Sequence, residues 1–176
     1  MRAPPPASPD ALAVPGYQWR RAHPTMQNPT VIRLRASLGP VEYPRLVEVW
    51  RSAVDVTHHF LADPDRDEIE GQLAGAYFPQ VRLTVAEFDG RVVGFAGTAE
   101  GDLVMLFVAA EAHGQGVGGA LLDHTIAEHG VRTVDVNEQN DRAVGFYVRK
   151  GFVVTGRSET DGEGRPYPLL HLALQS

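Results

Sequence analysis

The stretch from Asp102 to Gly130 constrains the fold more than any other part of this 176-residue chain. Its apolar run from Leu103 to Ala109 predicts a strand that is buried on both faces. From Gly116 onward the apolar residues recur at helical spacing, and Gly130 stands where a glycine commonly ends a helix. We therefore predict a strand, a glycine-rich turn and a helix, in that order.

Four glycines crowd the turn between this strand and its helix: Gly114, Gly116, Gly118 and Gly119. Residues without side chains leave the backbone N–H groups of the turn accessible. At the start of a helix these groups point outward, and the helix macrodipole favours negative charge there. The turn is therefore typical of a phosphate-binding site.

A dinucleotide-binding site is one alternative for this turn. Gly114, Gly116 and Gly119 satisfy the pattern G-x-G-x-x-G, and Asp135 lies near the distance at which such folds place their ribose-binding acid. However, that pattern begins directly at the strand end and opens the first βαβ unit of its domain. Here the glycines come several residues later, in the second half of the chain. A Walker loop is excluded, because no glycine is followed by Lys and then Ser or Thr.

Composition narrows the classes of function. The formal charge of -6 argues against nucleic acid as a partner. The absence of cysteine excludes disulfides, thiolate metal sites and a cysteine nucleophile. No apolar run approaches the ~20 residues needed to cross a bilayer, and the N-terminus lacks an apolar signal core. We therefore expect a cytoplasmic protein with no membrane partner.

The rest of the chain divides into a short extension and one domain. Residues 1–28 are rich in Pro and Ala without a hydrophobic period, which predicts a disordered extension before a domain at residues 29–176. Hydrophobic periodicity predicts a first strand followed by two helices. The first helix has Leu46, Val49 and Trp50 at helical spacing. The second begins at Asp63, extends to about Tyr77 and directs Ile69, Leu73 and Ala76 inward. An Asp89-Gly90 turn then joins two strands in a hairpin, ahead of the central strand.

Two adjacent histidines, His58 and His59, follow the first predicted helix. Neighbouring residues do not converge on one point in a helix or strand, and no carboxylate lies at a ligand-like spacing from them. We therefore predict no metal site, and expect this segment to be a loop near an acceptor substrate.

The glycine turn resembles motif A, R/Q-x-x-G-x-G/A, of the GNAT N-acetyltransferases, which binds the pyrophosphate of acetyl-CoA. The chain departs from the motif at His113, where the family has Arg or Gln. The resemblance implies that acetyl-CoA is the cosubstrate and that no metal is needed. The residues that it implies as binding acetyl-CoA are Leu106, Phe107, Val108, His113, Gly114, Gln115, Gly116, Val117, Gly118, Gly119 and Asn140.

A second segment resembles motif B of the same family, in which an Asn opens a helix and a Tyr follows two turns later. Asn140 and Tyr147 occupy these positions and share one helical face. The resemblance implies that Tyr147 donates a proton to the thiolate leaving group. The general base stays open: Asp135 and Asn137 end the preceding strand, and Glu100 and Asp102 are the other candidates.

The predicted order of elements is strand, two helices, three strands, helix, strand, helix and two strands, which is the order of the GNAT fold. This α/β (α+β) fold is a single mixed, mostly antiparallel seven-stranded sheet with helices on both faces and splayed parallel strands at its centre. The segments WRSAVDVTHHFL, VNEQN, AVGFY, VTGRSE and RPYPLL resemble the YjaB-type bacterial lysine acetyltransferases, from about residue 30 to residue 174.

This resemblance implies an acetyl-CoA-dependent acyltransferase in which an amine, the ε-amine of protein lysine, attacks the thioester directly. Relatives that act on small-molecule amines or peptide N-termini share the same cofactor motifs. A non-catalytic acetyl-CoA sensor and an NAD-binding oxidoreductase are alternatives of other classes. Whether the chain forms a homodimer is left open by the sequence.

Overall fold

The computed structural model describes residues 31–176, so the extension predicted for residues 1–28 lies outside the described residues. The strands are β1 (Arg33–Ala36), β2 (Arg82–Phe88), β3 (Arg91–Ala99), β4 (Asp102–Val108), β5 (Thr133–Asn137), β6 (Phe152–Ser158) and β7 (Leu169–Leu174). The α-helices are α1 (Tyr43–Thr57), α2 (Asp63–Gln72), α3 (Val117–His129) and α4 (Asp141–Arg149). A π-helical turn, Leu73–Tyr77, extends α2, and 3₁₀ turns lie at Gly39–Val41, Phe78–Gln80 and Ala110–Ala112.

All seven strands form one sheet in the order β1-β2-β3-β4-β5-β7-β6. Every neighbouring pair is antiparallel except β4 and β5, which are parallel because α3 crosses over between them. The β2–β3 hairpin turns at Asp89 and Gly90, whose φ angles of 48° and 76° are both positive, as a tight hairpin turn with a matching twist requires. The predicted mixed, mostly antiparallel sheet of seven strands is confirmed.

The helices cover both faces of the sheet and make two hydrophobic cores. On one face α1 buries Leu46, Val49 and Trp50 against β2 and β3, together with Leu73 and Phe78 from the segment after α2. On the other face α3 and α4 bury their apolar residues against the sheet. This double cover explains why β2 and β3 are buried along almost their whole length.

The second predicted helix differs in part from the structure. It begins at Asp63 as expected, but its regular part ends at Gln72 and the chain continues as the π-helical turn. Leu73 is buried and Ile69 packs against the core, whereas Ala76 is exposed, so the inward prediction for Ala76 is wrong. The wider turn places this residue on a different face from the one that α-helical spacing predicts.

Gly94 in β3 sets how closely α3 approaches the sheet. A Cβ atom at this position would lie 2.9 Å from Val117 Cγ1, 3.1 Å from the Phe107 carbonyl oxygen and 3.3 Å from Leu121 Cδ1. Only glycine leaves room for this packing. Because Val117 is the first residue of α3, the close approach also fixes the turn that precedes the helix.

Within residues 31–176, no helix is long and apolar enough to span a bilayer.

Candidate active site

A cleft opens in the sheet where the two parallel strands separate. The ladder between β4 and β5 ends at Leu103, whereas β4 stays paired with β3 as far as Val108. The edge of β4 from Val104 to Val108 is therefore unpaired on the side of β5. The prediction that this strand is buried on both faces is wrong for Val104 to Val108, since Val104 is 51% exposed and the next four residues are partly buried. Divergence of the strands removes the neighbour that would have covered them.

The glycine corner, residues 114–119, lies at the end of the cleft between β4 and the start of α3. Gly114 and Gly116 adopt φ angles of 74° and 84°, which favour glycine over residues with a side chain. None of the six backbone N–H groups from Gly114 to Gly119 donates to an acceptor within residues 31–176. Ala120 N–H is the first to close a helical bond, to the Gly116 carbonyl oxygen at 3.0 Å. The corner thus presents a row of unpaired donors at a helix start.

His113 turns towards the strand instead of into solvent. Its Nε2 lies 2.7 Å from the Val108 carbonyl oxygen, and its Nδ1 lies 3.5 Å from an Arg142 guanidinium nitrogen. A ring that donates through Nε2 to the carbonyl keeps a lone pair on Nδ1 for Arg142. The guanidinium of Arg142, in the first turn of α4, thus brings a positive charge beside the corner.

Helix α4 forms the opposite wall of the cleft. The Asn140 side chain caps it, accepting a hydrogen bond from Ala143 N–H at 3.1 Å. Tyr147 lies on the inner face with 6% of its surface exposed, packed edge-on against Phe146 and Phe152. Its hydroxyl makes no hydrogen bond within the described part of the chain, and burial raises the pKa of the phenol well above its usual value. The phenol therefore stays protonated at neutral pH and keeps an O–H to donate.

These walls enclose a main cavity of about 320 Å³. Of the residues that the sequence assigned to the cofactor, all but Gln115 line it, as does Tyr147. Gln115 is exposed, and its amide nitrogen donates to the Glu111 carbonyl oxygen at 3.0 Å. The main cavity is lined by Ala53, Thr57, His58, Leu106, Phe107, Val108, Ala112, His113, Gly114, Gly116, Val117, Gly118, Gly119, Asn140, Arg142, Ala143, Phe146, Tyr147 and Arg149.

A second cavity of about 180 Å³ lies next to the main one. His58 and Phe107 line both cavities and form the boundary between them. Most of the second wall is apolar, with Asn137, Asp161 and Tyr167 as its other polar side chains. The remaining lining residues are Trp50, Val54, Leu61, Ile69 and Leu169.

The candidate bases do not gather in one place. Asn137 lines the second cavity, whereas Asp135 is exposed and its carboxylate lies 2.6 Å from His171 Nδ1, outside both cavities. Glu100 and Asp102 lie at the opposite end of β4 from the glycine corner, and neither lines either of these two cavities. The position of Asn137 is thus the only one of the four that supports contact with a substrate in these cavities.

Sequence reasoning missed several residues of the main cavity, chiefly those from the end of α1 and from α4. Ala53, Thr57 and His58 reach the cavity from α1, and Arg142 and Arg149 reach it from α4. The histidine pair is the one available signal, and the sequence predicts for it only a loop near the acceptor. The structure separates the pair, since His58 is partly buried in the cavity wall and His59 is exposed. In the part of the chain that the structure describes, no group of three or more His, Cys, Asp or Glu side chains could hold a metal ion.

Comparison with known proteins agrees with this architecture. A family model described as the acetyltransferase (GNAT) domain matches residues 79–154. The peptidyl-lysine N-acetyltransferase YjaB of Escherichia coli is 43% identical over 144 residues, which cover 81% of this chain and 97% of that protein. The solution structure of apo-form YjaB from Escherichia coli superposes with a TM-score of 0.74 at 42% identity, again over 81% and 97% of the two chains.

A more distant structure shows that the fold persists at low identity. PaiA N-acetyltransferase from Thermoplasma acidophilum, solved in complex with coenzyme A, has a TM-score of 0.64 at 18% identity and covers 82% of this chain and 99% of that one. Sequence identity, coverage and fold all lead to the same assignment. This chain belongs to the GNAT acetyltransferase family.

Proposed function

We propose that this protein transfers the acetyl group of acetyl-CoA to the ε-amine of lysine residues in proteins. The observation that carries the proposal is the main cavity. It combines a row of unpaired N–H donors at one end with a buried, unpaired tyrosine hydroxyl in its wall. The name of the YjaB relative, a peptidyl-lysine N-acetyltransferase, supports the choice of acceptor.

The residues present fit a pantetheine thioester that bears a diphosphate. The glycine corner offers six N–H donors for phosphate oxygens, and Arg142 and Arg149 add positive charge to the same cavity. Gly118 leaves open the space between Val108 and Phe146, where a Cβ atom would lie 3.8 Å from each side chain. The unpaired edge of β4 offers backbone groups to an extended pantetheine arm, as another strand would.

When bound, acetyl-CoA supplies an activated acetyl group whose leaving group is a thiolate. A lysine amine with a pKa of about 10.4 must first lose a proton, which costs roughly 4 to 5 kcal/mol at neutral pH. Tyr147 holds an O–H in the cavity wall where it can donate to the sulfur. Because the amine attacks directly, no residue of the protein needs to be acylated.

The second cavity suits the stem of a lysine side chain. Its apolar walls, which include Trp50, Leu61 and Ile69, can cover four methylene groups. It meets the main cavity at His58 and Phe107, so an amine that enters through it would arrive beside the thioester. Small-molecule amines and peptide N-termini could use the same route, and they are the alternatives to test.

The test is release of free thiol from acetyl-CoA in the presence of a panel of amines. The panel contains lysine peptides, the same peptides with acetyl-lysine in place of lysine, peptides with free N-termini but no lysine, and small polyamines. We expect turnover with lysine peptides and a mass increase on the lysine side chain. Turnover confined to polyamines or N-termini would overturn the lysine assignment alone, whereas tight acetyl-CoA binding without any turnover would favour a sensor.

A further inference from the structure

The side chain of His58 occupies the boundary between the two cavities. His58 is the residue that caps the end of α1, and its backbone N–H donates to the Val54 carbonyl oxygen at 2.9 Å. Its ring packs against Phe60 and Phe107, with ring centroids 5.3 Å and 6.3 Å away. The imidazole is therefore held in place by one helix end and two aromatic rings.

A short chain of hydrogen bonds fixes which ring nitrogen carries the proton. Thr57 Oγ1 lies 2.7 Å from the Ala53 carbonyl oxygen and 2.7 Å from His58 Nδ1. A hydroxyl has one proton, and a carbonyl can only accept, so the Thr57 proton goes to Ala53. The hydroxyl oxygen must then accept from Nδ1–H, which leaves the lone pair of the neutral imidazole on Nε2.

The Nε2 atom has no hydrogen-bond partner within residues 31–176. The lone pair that it carries is thus the one unengaged basic nitrogen of a ring that borders both the cofactor cavity and the proposed acceptor cavity. Burial lowers the pKa of His58 to about 4, and the neighbouring His59 adds to this effect, so the ring is neutral at pH 7. A neutral ring is the form that can accept a proton, and burial makes this ring a weaker base than a solvated imidazole.

We propose that His58 is a catalytic proton acceptor that takes, through Nε2, the proton shed by the attacking amine. This inference rests on the proposed acetyl transfer. The sequence left the base open among Asp135, Asn137, Glu100 and Asp102, and this inference assigns the role to a residue outside that set. It also explains why the histidine lies at the junction of the two cavities.

The proton and electron balance is as follows. The lysine ammonium loses one proton to solvent, and the lone pair of the amine forms a bond to the thioester carbonyl carbon. The π electron pair of the carbonyl moves to its oxygen at the same time, and it returns to re-form the C=O bond when the sulfur leaves. The nitrogen becomes positively charged, and His58 Nε2 accepts one of its two protons. The C–S bond then breaks, its electron pair stays on sulfur, and Tyr147 donates a proton there. Transfer of the His58 proton through solvent to the tyrosinate restores both side chains.

The test compares His58→Gln and His58→Ala with His59→Gln, a matched control in an exposed neighbour of the same type. Both His58 variants should lower kcat for a lysine peptide by about 100-fold or more while the KM for acetyl-CoA changes by less than about threefold. Added imidazole should restore at least about tenfold of the lost rate to His58→Ala. His59→Gln should stay within about twofold of wild type, since it lines neither cavity.

Nitrogen NMR of the wild-type imidazole adds a readout that does not depend on activity or on the folding of a variant. At neutral pH it should show Nδ1 protonated and Nε2 bare. A protonated Nε2, or a His58→Gln kcat equal to that of His59→Gln, would overturn this inference while leaving the proposed function intact. No turnover by wild type and His59→Gln on any lysine peptide would instead overturn the proposed function, and this inference with it.

Discussion

The Nε2 atom of His113 lies 2.7 Å from the carbonyl oxygen of Val108, so this side chain fastens the end of β4 to the glycine corner. The family has an Arg or Gln at the position of His113, where a side chain can face the phosphate directly. In this chain the ring is engaged on both nitrogens, and the adjacent guanidinium of Arg142 contributes the charge. We therefore expect Arg142, which lies 29 positions away in the chain, to supply the positive charge that would face a phosphate at this corner.

Arg142→Gln should weaken binding of coenzyme A by about fivefold, since an exposed cation contributes on the order of 1 kcal/mol to such a contact. Titration calorimetry measures the change. The difference from wild type should shrink at high salt, because screening weakens exposed charges. Arg132→Gln, which removes an exposed arginine that lines neither cavity, is the control and should leave the affinity unchanged. Equal affinities for both variants would contradict the role of Arg142.

Gly118→Ala should weaken the binding of coenzyme A without lowering the stability of the protein. The new methyl group would lie 3.8 Å from both Phe146 and Val108, which is an ordinary contact distance, so the fold should tolerate it. It would nevertheless fill space between two residues that line the main cavity. We expect an unchanged or higher Tm and an affinity for coenzyme A that falls by about tenfold, on the order of 1.4 kcal/mol.

The control for this change is Gly71→Ala in α2, where nothing lies within 4 Å of the added atom. It should leave the affinity for coenzyme A as in wild type. An affinity that Gly118→Ala does not alter would show that the space beside this glycine is not used.

Gly94→Ala should destabilise the protein by about 1 to 3 kcal/mol. Its Cβ atom would come within 3.1 Å of the Phe107 carbonyl oxygen and 2.9 Å of Val117 Cγ1, so α3 would have to move away from β3. Urea denaturation should show a lower midpoint with the same slope. Gly75→Ala, in open space, is the comparison, and a Gly94→Ala midpoint equal to it would argue against tight packing here.

Tyr147→Phe should lower kcat by about 100-fold while leaving the affinity for coenzyme A almost unchanged. The phenylalanine ring keeps the packing against Phe146 and Phe152, and only the O–H is lost. Tyr43→Phe is a suitable control, because Tyr43 packs on Phe78 in the other core and lines neither cavity. Steady-state kinetics and calorimetry together test the prediction, which fails if kcat of the variant matches that of the control.

The free energy of unfolding should decrease as the pH is lowered, because His58 becomes protonated. Burial holds the pKa of His58 at about 4 in the folded state, below the ordinary 6.5 of an unfolded histidine. The folded state therefore excludes a proton that the unfolded state binds. The contribution of neutral His58 to the free energy of unfolding is complete above pH 6.5. It is lost as the pH falls towards 4, and the loss has a limit of about 3 kcal/mol.

Urea denaturation from about pH 7 to about pH 4.5 checks this prediction. The free energy of unfolding should fall less steeply for His58→Gln than for wild type or His59→Gln, and parallel curves would contradict it. The other ionisable side chains that face the same two cavities are His113, Arg142, Tyr147, Arg149, Asp161 and Tyr167.

The secondary-structure elements and turns that depend on neighbouring residues follow from the sequence of this protein. The spacing of Leu46, Val49 and Trp50 was enough to predict α1, and the Asp89-Gly90 pair predicted the β2–β3 hairpin. The glycine corner and its helix were predicted too, because each depends on contacts between residues close in the chain. Periodicity failed at Ala76, where a π-helical turn changes the spacing.

The tertiary structure alone decided how the cleft is assembled. The end of the β4–β5 ladder at Leu103 depends on how far two strands separate, and an apolar run looks the same whether or not a neighbour covers it. The placement of His58 depends on packing against Phe107, which lies 49 positions away in the chain. Such contacts join segments that no local pattern relates, so the sequence determined the elements and the corner, while packing determined which side chains line the site.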